Sequence, residues 1–68
     1  MKDKIKKLLK EHDVNQEYLA AILGITYQSV SIKVNGHKDF TRTELFKIKL
    51  AFNLSDDEFV DIFFTFED

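Results

Sequence analysis

The chain has 68 residues, 44% of them hydrophobic with seven Phe, and it contains two Gly, no Pro and no Cys. That suffices for one small core and not for two, so a single domain over residues 1–68 is expected; the lack of Cys excludes a disulfide framework and thiolate or cysteine-zinc chemistry. The net charge of −2 conceals a division, because residues 1–49 carry ten basic against six acidic side chains, a balance of +4, whereas residues 50–68 carry six acidic and no basic ones. Such asymmetry points to a basic working surface and an acidic end kept away from it.

In chain order, the spacing of Ile5, Leu8 and Leu9 predicts a first helix from about Lys2 to His12, with lysines over its outer face. Only Leu8 and Leu9 follow Lys2, Lys4, Lys6 and Lys7 as an apolar run, so no secretory signal is expected, and no stretch approaches membrane-spanning length. Asn15 suits the N-cap of a second helix, Gln16 to Leu23, which can turn Leu19, Ala20, Ile22 and Leu23 inward. Gly24 ends it in a tight connection, and the next two helices must cross sharply.

Thr26 caps a third helix reaching Val34, with Ile25 and Val30 placed as a hydrophobic staple, and Asn35-Gly36 closes it. Phe40-Thr41-Arg42-Thr43-Glu44-Leu45 holds a full capping box, Thr41 with Glu44, inside the staple pair Phe40 and Leu45. Leu54-Ser55-Asp56-Asp57-Glu58-Phe59 repeats the signature. These start a fourth helix, about Arg42 to Phe52, and a fifth, about Asp56 to Phe66, whose Phe59, Ile62, Phe63 and Phe66 share one face while Val60 and Phe64 lie off it. The fold class is all-α, five short helices in one compact unit.

If Val30 and Val34 point inward, a helix turning about 100° per residue sends Gln28 and Ile32 the opposite way. A Gln beside an exposed Ile suits a DNA groove, where Gln pairs with adenine edges and Ile touches thymine methyls; the plainer alternative packs Ile32 on another helix and leaves Gln28 solvated. Thr26 and Tyr27, at the first turn, are placed to reach bases or phosphates.

The segment Gln16-Glu17-Tyr18-Leu19-Ala20-Ala21-Ile22-Leu23-Gly24-Ile25-Thr26-Tyr27-Gln28-Ser29-Val30 resembles the helix-turn-helix of the phage lambda repressor and Cro family, also called the XRE family. Gln16 opening the first helix, small Ala20 at the crossing, Gly24 in the turn, apolar Leu19, Leu23, Ile25 and Val30, and Asn35-Gly36 afterwards carry the likeness. It implies a compact five-helix DNA-binding domain with helix 26–34 in the major groove, acting as a small repressor or Cro-like regulator in the cytoplasm of a bacterial or phage-infected cell. By the same resemblance Tyr27, Gln28 and Ile32 face base edges, joined by Thr26 on the strength of its place at the first turn, and Gln16, Asn35 and Arg42 contact phosphates, Gln16 also orienting Gln28. Lys38 is a phosphate partner or simply solvated. Lys33 departs from the family, which has an apolar residue there; Val34 is expected to take over that role and to rotate the helix slightly.

Double-stranded DNA is thus the expected partner, no membrane is, and a homodimer is expected because one domain makes few contacts and family members meet half-sites about 34 Å apart. Phe46, Val60 and Phe64 either form that symmetric contact or complete the core of a monomer. The rival reading is a protein-binding module, an anti-repressor or complex subunit, that keeps the fold without touching DNA; the acidic net charge favours it. An enzyme is not expected, since no nucleophile–base set or phosphate-cradling loop is present. His12 and His37 lack ligand-spaced partners, and Asp56-Asp57-Glu58 with Asp61 lacks a calcium loop's alternation, so no metal or cofactor is expected.

Overall fold

Helix ends are the most regular feature of this chain. A computed structural model describes residues 2–64 and contains α1 (Lys2–Glu11), α2 (Gln16–Leu23), α3 (Tyr27–Val34), α4 (Arg42–Ala51) and α5 (Asp56–Phe64), with no strand among the described residues. The first four helices all end in the same way. Asp13 (φ 55°), Gly24 (φ 71°), Gly36 (φ 83°) and Asn53 (φ 52°) adopt the left-handed conformation, and the N–H that follows each reaches back five residues. Val14 donates to the Leu9 carbonyl at 3.0 Å, Ile25 to Ala20 at 3.2 Å, His37 to Ile32 at 3.0 Å and Leu54 to Lys49 at 3.0 Å. These bonds satisfy carbonyls that a helix C-terminus otherwise leaves open.

The N-termini of α2, α3, α4 and α5 are closed by side chains. The Asn15 carboxamide oxygen accepts the Tyr18 N–H at 2.9 Å, and the Thr26 hydroxyl accepts the Ser29 N–H at 3.1 Å. Both predicted boxes form in full: Thr41 with Glu44 (2.9 and 3.2 Å) and Ser55 with Glu58 (2.9 and 3.1 Å). The first and fourth helices stop one residue short of the expected His12 and Phe52, because these residues serve as the caps. Phe66 lies outside the described residues, so its expected place on the α5 core face goes with it.

One apolar cluster unites all five helices: Ile5, Leu8 and Leu9; Leu19, Ala20 and Leu23; Val30 and Val34; Ile48; Ile62 and Phe63, with Phe40, Phe52 and Leu54 from the connections. Ile22 and Phe59 also face the core, half-buried at its edge. α2 packs on α3 and α4, and α1 on α3. Among the described residues two charged side chains are also inside, Lys33 and Glu44, each only 7% exposed. The acidic side chains of α5 are not all held apart from the basic part, since Asp61 lies 3.0 Å from Lys4 and Asp56 3.1 Å from Lys49. At exposed sites these pairs contribute at most about 1 kcal/mol each.

Candidate nucleic-acid interface

Three residues, Gly24, Ile25 and Thr26, connect α2 to α3. The chain turns this tightly because Gly24 takes a positive φ at no steric cost and the Ala20 carbonyl accepts both the Gly24 and Ile25 N–H groups, at 2.9 and 3.2 Å. Ala20, buried and small, lets the helices approach closely. Val30 and Val34 are fully buried, which sets the side of α3 that faces the core and leaves Tyr27, Gln28 and Ile32 at the surface. Ile32 is 47% exposed, so the alternative in which it packs on another helix does not describe the molecule.

The Thr26 hydroxyl is engaged at the cap, accepting from the Ser29 N–H and donating to the Ser29 hydroxyl at 3.0 Å. Thr26 is nonetheless exposed, next to the exposed Tyr27. Gln16 and Tyr27, each at the first position of its helix, come together along an open groove of about 490 Å³ that Lys6 and Lys10 of α1 also line. The Gln16 Oε1 is buried there with no hydrogen-bond partner, and among the described residues no bond joins it to Gln28. The Asn35 amide donates to the Ser31 carbonyl at 2.8 Å and so helps to close α3. Lys38 and Arg42 are exposed on either side of Phe40.

Lys33 is the largest departure from the expected picture. Val34 does enter the core, yet Lys33 enters with it and does not yield its place. Its Nζ donates to Glu44 Oε1 at 2.6 Å, the same oxygen that accepts the Thr41 N–H at 2.9 Å. Burial alone pushes the Glu44 carboxyl up; the hydrogen bond from Lys33, the Thr41 N–H, the Lys33 charge and the Thr41 hydroxyl outweigh it, so Glu44 lies below the ordinary carboxylate value of 4.5. Nothing in a single sequence pairs Lys33 with a residue eleven positions on in another helix.

Phe46, Val60 and Phe64 are each more than half exposed, which excludes the alternative in which they complete the core. Leu50, one turn beyond Phe46 on α4, is 63% exposed and joins them as a residue that sequence reasoning missed. Four-residue spacing from Phe46 was the signal that could have found it.

Two helices crossed through a tight glycine turn, with the second exposed on its outer face, define a helix-turn-helix protein. The Helix-turn-helix family model of XRE, lambda repressor/Cro-like type matches residues 5–59, and the chain belongs to that family, one of DNA-binding transcription regulators. No significant match was found among curated proteins or solved structures. Among the described residues no helix is long and apolar enough to cross a membrane, and no cluster of three His, Cys, Asp or Glu could hold a metal ion.

Proposed function

We propose that the chain acts as a single sequence-specific domain for double-stranded DNA, a small phage-type repressor or Cro-like regulator, with α3 in the major groove. The observation that carries this reading is the exposed pair Gln28 and Ile32, one turn apart on a helix whose other side is locked by Val30 and Val34. Thr26, Tyr27, Gln28 and Ile32 meet base edges; Gln16, Asn35, Lys38 and Arg42 meet phosphates. For Asn35 this requires its amide to serve the phosphate while still closing α3. Selection from a random duplex library tests the reading directly: recovery of a palindromic motif supports it, and recovery of no motif defeats it. Gln28→Ala is expected to cost about 1 to 3 kcal/mol of binding and to relax preference at one base pair. A loss that is uniform over all sequences would contradict base reading.

The domain works as a homodimer whose contact includes the exposed Phe46, Val60 and Phe64, with Leu50 also exposed one turn beyond Phe46 on α4. Phe64→Asp is expected to give a folded monomer in analytical ultracentrifugation, and a dimer unchanged by it removes that interface. Net acidity and these exposed apolar side chains also favour the second reading, a protein-binding module. Salt separates the two, because phosphate neutralisation makes affinity fall steeply between about 50 and 200 mM.

A further inference from the structure

Glu44 Oε1 holds two groups at once, the Lys33 ammonium at 2.6 Å and the Thr41 N–H at 2.9 Å. Lys33 stands on the buried side of α3, next in sequence to the exposed Ile32, and Thr41 ends the connection that begins at Asn35 and carries Lys38. A single buried oxygen therefore joins the helix with the exposed Gln28 and Ile32 to the segment leading into Arg42. An apolar residue at position 33 would fill the same space, but dispersion contacts are non-directional and tolerate small rotations. A short charge-assisted hydrogen bond sets both distance and direction. Burying two charges rarely adds net stability, and its better-attested use is to specify one arrangement among several.

We propose that Lys33 and Glu44 are positioning residues that hold α3 in one rotation against the 36–41 connection, so that base contacts and backbone contacts are made together. This rests on the DNA-binding reading for its consequence in specificity, though not for the linkage itself.

The test uses the full chain and three variants. Glu44→Gln keeps an acceptor for the Thr41 N–H and removes the charge; Lys33→Met with Glu44→Gln removes both charges; Glu58→Gln makes the same chemical change in the exposed box of α5. Amide hydrogen exchange by NMR reads the free protein, and the affinity ratio between selected and scrambled duplex reads specificity, each at temperatures where the variant is fully folded. In Glu44→Gln the amides of Gly36 and His37, which bond the Lys33 and Ile32 carbonyls, are expected to exchange about tenfold faster together with those of α3, and the affinity ratio to drop by about tenfold. Glu58→Gln should leave both readouts unchanged. The double variant should regain stability, having no unpaired buried charge, while its affinity ratio stays low. If that ratio recovers with stability, packing alone positions the helix and the proposal falls. It falls equally if exchange in α3 and the 36–41 connection is unaltered in Glu44→Gln. Should the wild type prefer no duplex while the exchange result holds, the DNA reading fails and the linkage stands.

Discussion

α4 and α5 begin with the same four-residue device in opposite surroundings. Thr41 and Ser55 each accept the N–H three residues on, and Glu44 and Glu58 each accept the N–H of the cap, with bond lengths that match within 0.1 Å. Glu58 is exposed; the Ser55 N–H, followed by the Ser55 hydroxyl and more weakly by the charge of His12, holds its carboxyl below the ordinary value, and no buried charge leans on it. Glu44 is buried and also neutralises Lys33 of α3. Local sequence chemistry builds the cap in both places, and tertiary packing turns one of them into a joint between helices.

The largest expected break in this comparison is Glu44→Ala. It opens the box and leaves the Lys33 ammonium buried without its partner, a loss of about 3 to 5 kcal/mol. For a chain of 68 residues, whose whole stability scales to roughly 3 to 10 kcal/mol, most of the fold is at stake. Urea denaturation followed by circular dichroism measures it, and a loss no larger than that of an exposed cap would show that the pair contributes little.

Lys33→Met comes next, at about 1 to 3 kcal/mol at neutral pH, because Glu44 keeps the Thr41 N–H and the α4 N-terminus as partial compensation. Its pH dependence is the sharper readout. The Glu44 carboxyl lies below 4.5 in the folded chain, so its contribution is complete above that unfolded value and is lost as pH falls through the lowered folded one. Without Lys33 the desolvation that raises the carboxyl is no longer outweighed by the ammonium, and the variant suffers less from acid. The stability gap between wild type and Lys33→Met should therefore narrow as pH drops below 4.5, whereas a gap constant from neutral to acid pH would mean that the charge is not what matters.

Contrast of this kind also explains what the sequence makes legible. The bounds of α2, the turn at Gly24 and the outward direction of Gln28 and Ile32 follow from local chemistry and a 100° helical step, and all were readable. Asp13 and Asn53 were not read as left-handed helix ends, since only their short polar side chains, and no glycine, mark them. Lys33 reads in sequence only as a departure from the family's apolar position, because its partner Glu44 is brought to it by tertiary packing and not by local spacing. Phe46 is legible as a contact candidate by its type, whereas Leu50, equally exposed, carries no local mark beyond its spacing from Phe46.

The smallest expected effects test where the asymmetry between the boxes resides. Thr41→Ala and Ser55→Ala each remove one hydroxyl that accepts a backbone N–H, at 3.2 and 3.1 Å, and each should cost about 1 kcal/mol. The two losses should match despite the different surroundings, because Glu44 is held through the Thr41 backbone N–H and by Lys33, and both remain in Thr41→Ala. Side-by-side thermal melts of the two variants decide it. If Thr41→Ala proved as damaging as Glu44→Ala, the hydroxyl would be the hinge of the joint; equal and modest losses place the difference between the boxes in the carboxylate that reaches Lys33.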